Sequence, residues 1–286
     1  MLYVCGTPLG NLEDVTLRVL RVLREADCVA AEDTRRTLKL LNHYNIKTPL
    51  TSYHEHNKQK KGPDLLRQLI NGRNIALVTD AGMPGISDPG ADLIRACLGH
   101  GVQVTSAPGA TAGVTALVLS GLDAGRFAFE GFLPRAKKER ASRLAELARE
   151  NRTMVLYAAP HHLVGDAADL LLTLGNRGSA LAREITKAHE EVWRGDLAAL
   201  VEKCRAEEIR GEIVLIINGI ADGSEGAKKK PTGPETASVP KDSLELVEGY
   251  IRGGMGKMDA IKAAARDLGV GKREIYRQIS ANNYQS

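Results

Sequence analysis

The chain has 286 residues, of which 43% are hydrophobic and 26% are charged. These proportions are ordinary for a soluble globular protein and exclude the disordered and fibrous classes. The length suggests two modest domains, since one domain typically takes about 150 residues. Aromatic residues make up only 4%, which argues against an RNA-binding surface built mainly from stacked rings. The formal charge of +4 permits a polyanionic partner without requiring one.

The first part of the chain, residues 1–122, alternates short apolar runs with helical patterns. This rhythm predicts a parallel sheet whose strands are joined by crossover helices. The helix after the first strand is expected to begin at Asp14 or Thr16, because both residue types are favourable N-caps. The predicted strands are residues 2–5, 28–31, 75–78 and 102–105, and the other predicted helices are residues 64–70 and 112–119. We therefore expect an N-terminal α/β domain at residues 1–122.

A second strand and helix rhythm occupies residues 123–221. It opens with Phe127, Phe129 and Phe132, whose spacing is typical of a strand. The other predicted strands are residues 153–157, 179–182 and 213–217, and the predicted helices are residues 137–150, 163–174 and 197–205. The pattern predicts a second α/β domain, with a cleft between it and the first.

The remaining residues differ in composition from both domains. Residues 222–238 contain three consecutive lysines, with glycines and prolines and no hydrophobic periodicity, and predict a flexible linker. Residues 239–286 predict a small helical appendage in which Gly269 separates two helices, as in a helix-turn-helix. The apolar positions that carry this prediction are Ile261, Ala264, Ala265 and Leu268 in the first helix and Ile275 and Ile279 in the second.

The four cysteines, Cys5, Cys28, Cys97 and Cys204, are far apart and form no C-x-x-C pair, so we expect reduced, buried thiols. No basic segment followed by a long apolar run opens the chain, and no run of about 18 apolar residues could span a bilayer. His54 and His56 could ligate a metal, but the spacing places no third ligand beside them. We expect a cytoplasmic protein without membrane contact and without a metal site.

Two predicted strands end in glycine-containing loops. The segment Gly6-Thr-Pro-Leu-Gly-Asn11 follows the first strand, and a loop at residues 79–90 follows the strand at residues 75–78. Asp80 and Gly82 of the second loop offer a carboxylate and a bare backbone to which a ligand can approach closely. Because the carboxyl ends of parallel strands meet at one edge of a sheet, the two loops predict a single ligand cleft. Neither loop contains G-x-G-x-x-G or G-x-x-x-x-G-K-[ST], which argues against NAD and ATP.

Six segments of the chain carry a family resemblance when they are taken together and in order. They are Gly6-Thr-Pro-Leu-Gly-Asn11, Ala31-Glu-Asp-Thr-Arg35, His54-Glu-His-Asn57, the loop at residues 79–90, Glu130-Gly-Phe-Leu-Pro134 and Arg183-Glu-Ile-Thr-Lys187. From about residue 2 to residue 219 the chain resembles the tetrapyrrole methylase superfamily of S-adenosylmethionine-dependent enzymes. It is most similar to members that methylate ribosomal RNA, because tetrapyrrole-modifying members are not expected to share the segments around Glu32, His54 and Glu130.

The resemblance implies a two-domain α/β protein, usually a homodimer, that binds S-adenosylmethionine in the cleft between its domains. It also implies 2′-O-methylation of a cytidine ribose in 16S ribosomal RNA near the decoding site, with that RNA or the small ribosomal subunit as partner. A carboxylate such as Asp80 would suit the positive charge of the sulfonium. The cofactor contacts implied by the resemblance are Leu9, Asp80, Met83, Thr111, Ala112, Tyr157 and Arg183.

Methyl transfer to a ribose hydroxyl needs alignment of the reacting atoms and a group that accepts the hydroxyl proton. The predicted strand at residues 28–31 would place Glu32 and Asp33 at a strand end facing the cleft. A structural role is an equal alternative, since these carboxylates could simply pair with the arginines that follow them. The candidate catalytic residues are Glu32, His54 and Glu130, with Asp33 as a further candidate base, and the residues alone do not choose among them.

Two groups of basic residues are candidates for RNA contact. Arg35 and Arg36 follow the candidate carboxylates and could clamp phosphates. Lys272, Arg273 and Arg277 lie on the predicted second helix of the appendage, where side chains usually reach nucleic acid, although that helix could equally support a dimer.

Two other functions stay open at this point. One is a small-molecule methyltransferase of the tetrapyrrole type, which the fold alone does not exclude, although the basic appendage argues against it. The other is a nucleic-acid-binding regulator that senses a nucleotide-like ligand without catalysis.

Overall fold

The structure, a computed structural model, describes residues 1–220 and 243–267. These residues belong to two compact units, Met1–Ser224 and Glu225–Ser286. The described part of the first unit contains two five-stranded sheets with helices, and the described part of the second contains two helices.

The first sheet is entirely parallel. Its strands are β1 (Leu2–Cys5), β2 (Cys28–Ala31), β3 (Leu50–Ser52), β4 (Ile75–Val78) and β5 (Val104–Ala107), in the order β3-β2-β4-β1-β5. The accompanying helices are α1 (Leu17–Glu25), α2 (Thr34–His43), α3 (Lys58–Ile70), α4 (Gly90–Gly99) and α5 (Ala112–Ser120). All residues of β2 and β4 are buried, as expected for parallel strands covered on both faces.

The second sheet is mixed. Its strands are β6 (Phe127–Phe132), β7 (Thr153–Ala158), β8 (Gly178–Arg183), β9 (Glu191–Asp196) and β10 (Ile213–Ile217), in the order β6-β7-β10-β8-β9. Only the β6–β7 pair is parallel. The accompanying helices α6 (Lys137–Leu147), α7 (Leu163–Leu174) and α8 (Leu197–Ala206) pack over a core that includes Met154, Leu170 and Leu215.

Helix α5 joins the two sheets. It follows β5 of the first sheet and packs against the second sheet, where Ala116 and Leu117 contact a cluster that contains Val155 and Val214. Arg194 of β9 donates to the carbonyls of Leu119 and Ser120 at the end of the helix. The two α/β regions of residues 1–220 therefore share a buried apolar interface.

Most elements predicted from the sequence are present. The strands at residues 2–5, 28–31, 75–78 and 213–217 and the helix at residues 163–174 have the predicted bounds, and Thr16 is the N-cap of α1. The helix predicted at residues 64–70 begins earlier, at Lys58. The sequence did not indicate its first turns, because they are polar, contain Pro63 and have no apolar periodicity. The strand predicted at residues 102–105 begins two residues later, because the Val102 N–H donates to the Cys97 carbonyl and belongs to the turn after α4.

Four elements of the first unit, α2, β3, α4 and β9, were not predicted. Strand β3 has only three half-buried residues, and β9 carries Glu191, Arg194 and Asp196, so neither shows a clear apolar alternation. Strand β6 has an irregular register between Phe129 and Gly131, which keeps Phe127, Phe129 and Phe132 all exposed.

The described part of the second unit is a helical pair, α9 (Ser243–Arg252) and α10 (Lys257–Asp267). Val247 of α9 packs against Ala260, Ile261 and Ala264 of α10. The helical spacing predicted for Ile261, Ala264 and Ala265 is therefore confirmed. The predicted linker at residues 222–238 and the predicted second helix with Ile275 and Ile279 lie outside the described residues.

The four cysteines are buried and form no disulfide, as expected. Burial raises the pKa of the Cys5 thiol to about 12. Within residues 1–220 and 243–267, no helix has the length and apolar character needed to cross a membrane. The same ranges hold no cluster of three or more histidine, cysteine or acidic residues suited to a metal ion.

Three loops that follow β1, β4 and β5 are joined through their backbones. The Gly6 N–H donates to the Ala107 carbonyl at 3.0 Å, and Thr7 and Gly82 exchange two backbone hydrogen bonds of 2.9 and 3.1 Å. A Cβ atom at Gly6 would lie 2.6 Å from the Gly109 Cα, so this close approach requires glycine. The carboxyl-terminal edge of the first sheet is thus fixed by contacts between main chains.

We expect Gly109→Ala to destabilise the protein, because the new Cβ would lie 2.9 Å from the Gly6 carbonyl oxygen. Overpacking of this kind costs about 1–3 kcal/mol of unfolding free energy, which urea denaturation measures. Gly99→Ala is the matched control, since no atom outside its own helix and its chain neighbours lies within 4 Å of its Cβ position in the described structure. Equal stability of the two variants would contradict the close approach.

Candidate active site

A cavity of about 360 Å³ lies between the two α/β regions, within the range of about 300–1,000 Å³ typical of ligand sites. One wall comes from the loops that follow β2, β4 and β5. The other comes from the ends of β6 and β7 and the start of β10, which runs antiparallel to β7. The cavity therefore lies at the carboxyl edge of the first sheet, where open α/β sheets bind ligands.

Two carboxylates follow neighbouring strands and meet at the cavity. Glu32 follows β2 and Asp80 follows β4, with Ala31 and Val78 paired in the sheet. The Glu32 Oε2 accepts from the Thr79 hydroxyl at 2.5 Å and from the Asp80 N–H at 3.4 Å. The Asp80 Oδ1 accepts from the Asp33 N–H at 3.0 Å. Each loop thus orients the carboxylate of the other.

A chain of charges crosses the cleft next to Asp80. The Arg36 Nη1 lies 3.5 Å from Asp80 Oδ2 and 3.7 Å from Glu212 Oε1, and Glu212 Oε2 lies 3.3 Å from Lys187 Nζ. A Cβ at Gly10 would meet the Lys187 stem at 2.0 Å, so that stem covers the first glycine loop. Arg36 and Glu212 are about half exposed, and pairs of this kind contribute at most about 1 kcal/mol each. The charges therefore position side chains across the cleft more than they stabilise the fold.

The loop at residues 79–90 is organised by Asp88. Its carboxylate accepts from the backbone N–H groups of Gly85, Ile86 and Gly90 at distances between 2.7 and 3.2 Å. Ser87 within this turn has a φ of 63°, a left-handed value that is unusual for a residue with a side chain. Asp88 thereby fixes the curved main chain that forms one side of the cavity.

The opposite side of the cavity is more apolar. Tyr157, at the end of β7, packs edge-on against Phe129 with ring centroids 5.1 Å apart and lies 5.5 Å from the Phe132 ring. Burial raises the pKa of the Tyr157 phenol, so this group stays neutral at pH 7. Met83, after β4, and Ala112, at the start of α5, add apolar surface on the facing wall. The site thus combines an acidic edge with an apolar and aromatic wall.

Comparison with known proteins identifies the family. Residues 1–201 match the family described as Tetrapyrrole (Corrin/Porphyrin) Methylases. The chain belongs to this family. The predicted superfamily and the predicted α/β fold are therefore confirmed.

Among curated relatives, the chain is 49% identical to the ribosomal RNA small subunit methyltransferase I of Halalkalibacterium halodurans, over 96% of this chain and 93% of the relative. It is 43% identical to the protein of the same name from Bacillus subtilis, over 96% and 92% of the two chains. Among solved structures of the methylase fold, the methyltransferase CobJ has a TM-score of 0.59 at 20% identity, over 77% of this chain and 94% of that one.

Another solved structure is that of uroporphyrin-III C-methyltransferase from Thermus thermophilus, complexed with S-adenyl homocysteine. It has a TM-score of 0.55 at 22% identity, over 76% of this chain and 96% of that chain. At these identities the structural matches establish the methylase fold alone.

Of the seven residues that the family resemblance implies as cofactor contacts, five line the cavity. They are Asp80, Met83, Thr111, Ala112 and Tyr157. Leu9 is buried behind the lining, and its Cδ2 lies 3.3 Å from the Cβ position of Gly82. Arg183 lies off the lining, where its Nε donates to Glu191 at 2.6 Å.

The three candidate catalytic residues lie in different surroundings. Glu32 lines the cavity. His54 does not line the cavity. Its backbone N–H donates to Asn57 Oδ1 at 2.9 Å, and its ring packs near the ring of His56. The Glu130 side chain is buried and paired with Arg143. Asp33, the further candidate, binds Arg35 through both carboxylate oxygens, and these hydrogen bonds hold the pKa of Asp33 well below its usual range.

The predicted RNA-contacting arginines occupy different positions on α2. Arg35 is exposed and paired with Asp33, whereas Arg36 faces the cleft between Asp80 and Glu212. Lys272, Arg273 and Arg277 lie outside the described residues.

Among the cavity residues that sequence reasoning missed are Thr79, Asp88 and Glu212. Thr79 and Asp88 lie in the loop that was singled out, and the Ser-Asp-Pro-Gly turn is typical of an aspartate that binds nearby backbone N–H groups. Nothing in the neighbouring sequence indicated Glu212 as a site residue, because its ion-pair partners Arg36 and Lys187 are distant in sequence.

Proposed function

We propose that the protein transfers a methyl group from S-adenosylmethionine to the 2′-hydroxyl of a cytidine ribose in 16S ribosomal RNA, near the decoding site. The observation that carries the proposal is the 49% and 43% identity, over 96% of the chain, to relatives named ribosomal RNA small subunit methyltransferase I. These names support the predicted class of enzyme, and the cytidine position rests on the resemblance in sequence.

The cavity fits S-adenosylmethionine by size and by chemistry. Asp80 supplies a negative charge, Gly82 a bare backbone at a φ of 81°, and Met83, Ala112 and Tyr157 apolar surface on the two facing walls. These residues and Thr111 would hold the cofactor. When bound, S-adenosylmethionine supplies an electrophilic methyl group on a positively charged sulfonium. The joined loops after β1, β4 and β5 contribute by preorganising the site, since alignment is the main requirement of a displacement reaction.

Glu32 is the candidate that fits best as acceptor of the ribose hydroxyl proton. Its Oε2 is held by Thr79 and Asp80, while its Oε1 has no hydrogen bond to any described residue. A carboxylate fixed through one oxygen and open through the other can take a proton without losing its orientation. His54 lies off the cavity lining and Glu130 is held by Arg143, so neither offers an equivalent open atom at the cavity.

The small-molecule alternative draws on the uroporphyrin-III C-methyltransferases among the solved structures, which share only 22–24% identity with the chain. The relatives that match nearly the full chain carry the ribosomal RNA name instead. This contrast favours an RNA substrate over a tetrapyrrole.

The proposal is tested by incubating the protein with labelled S-adenosylmethionine and small ribosomal subunits that lack the modification, and then mapping the labelled nucleotide. We expect alkali-resistant label at one cytidine. Absence of transfer by a protein that binds S-adenosylmethionine would contradict the proposed function.

For the proposed base, we expect Glu32→Gln to lower kcat by about 10²–10⁴, the range typical of general base catalysis. The affinity for S-adenosylmethionine should change little, because the amide can keep the contact with Thr79. Single-turnover methyl transfer and calorimetry measure the two quantities. Glu130→Gln and His54→Ala serve as comparisons. A larger loss of kcat in either of them than in Glu32→Gln would show that the base is assigned wrongly.

We also propose that the protein is a homodimer, as the family resemblance implies. Val114 and Val118 lie one turn apart on α5 with exposed fractions of 47% and 68%, and Phe127 and Phe129 are exposed on β6. We propose that these exposed side chains form one apolar face, because the Phe129 ring lies 3.5 Å from the Cβ position of Gly113, the residue before Val114. Exposed apolar faces of this kind mark protein contacts.

Val118→Glu should convert the dimer to a monomer, because the partner would bury an unpaired charge. Sedimentation equilibrium measures the mass directly. The control is Leu172→Glu on α7, whose side chain is 86% exposed and lies outside this face. A wild-type monomer, or a Val118→Glu dimer, would contradict the proposed interface.

A further inference from the structure

A second cavity, of about 320 Å³, adjoins the first. It shares Phe132 and Ala159 with the larger cavity and extends between the start of α6 and the start of α7. Its polar lining comprises Arg135, Arg140, His161, His162, Asp166 and Asp169. None of these residues is used in the transfer of a methyl group as described above.

One side of this second cavity is fixed by ion pairs. The Arg140 Nη2 lies 2.8 Å from Asp166 Oδ1 and 2.8 Å from Asp169 Oδ2, and its Nη1 donates to the Pro134 carbonyl at 3.4 Å. Arg140 is therefore neutralised and holds the turn that leads into Arg135. This wall offers hydrogen-bond donors and acceptors together.

The other side carries polar groups without protein partners. The His162 Nε2 is buried and has no hydrogen bond in the described structure. Burial, followed by the charges of Arg135 and His161, lowers the pKa of His162, so its ring is neutral at pH 7. Arg135 is exposed and forms no ion pair with any described residue, and the exposed His161 ring lies 4.2 Å from that of His162. Buried polar atoms normally have a partner, so this nitrogen is open to a hydrogen bond from a bound water or from a ligand group in the cavity.

The boundary between the two cavities is aromatic. The Phe132 side chain is 56% exposed and lines both spaces. Unpaired RNA bases stack on exposed aromatic rings, and their edges need both donors and acceptors. The two carboxylates of this lining would not bind a phosphate alone. A nucleotide can bind to all of its groups: the donors, the acceptors, the cation and the aromatic ring.

We propose that the second cavity holds one unstacked nucleotide of the RNA substrate, with its base between Phe132 and the polar wall and its phosphate at Arg135. The inference rests on the proposed function, because it places a nucleotide of the RNA beside the site of methyl transfer. It assigns the second cavity to substrate recognition and the first to the cofactor.

The test measures methyl transfer to small ribosomal subunits by Arg135→Ala and His161→Ala. The matched control is Arg149→Ala, an exposed arginine beyond the other end of α6 that has no ion pair with a described residue. We expect each test variant to raise KM about tenfold with little change in kcat. Arg135→Ala should also reduce the slope of log KM against log salt concentration by about one, the contribution of one phosphate contact. Affinity for S-adenosylmethionine, measured by calorimetry, should equal that of the wild type.

The outcomes separate this inference from the proposed function. If the wild type transfers methyl groups but both test variants match Arg149→Ala in KM and in salt dependence, the nucleotide site is wrong and the function stands. If the wild type transfers none, the proposed function is wrong, and filter binding of the same subunits then tests the nucleotide site by itself. Weaker binding by Arg135→Ala and His161→Ala than by Arg149→Ala would then support an RNA contact, and equal binding would overturn it.

Discussion

The close approach of the Gly6 and Gly109 backbones is the constraint on which the site depends. Together with the two hydrogen bonds between Thr7 and Gly82, it joins the loops after β1, β4 and β5 without using any side chain that a ligand would need. Asp88 fixes the middle loop from the other side. The cavity is thereby shaped before a ligand binds, and a preorganised site loses less free energy on binding and on reaction.

The two α/β regions contribute different chemistry to the cleft. The first supplies Glu32 and Asp80 at adjacent strand ends, and the second supplies an aromatic wall and the polar second cavity. Arg36 lies where the two meet and contacts a carboxylate from each. Because those contacts are half exposed and individually weak, an incoming phosphate could replace them at small cost. This arrangement is suited to a large anionic substrate that reaches across both regions.

Sequence reasoning was strongest where local pattern determines structure. The buried strands β1, β2, β4 and β10 are apolar runs with clear ends, and their bounds were predicted. Strand β9 was missed because its charged residues are stabilised by pairing with β8, which no local pattern shows. In the site, Asp80 followed from its place after a strand, whereas Glu212 and the second cavity depend on contacts between segments far apart in the chain.

The most direct test of the account is a calorimetric titration of S-adenosylmethionine into the wild type and into Asp80→Ala, with circular dichroism as the check of folding. If the cavity at the joined loops is the cofactor site, the wild type binds one equivalent and the variant binds at least about tenfold more weakly, as expected for loss of a charged contact. Equal affinity in a folded variant would place the cofactor elsewhere and contradict the account.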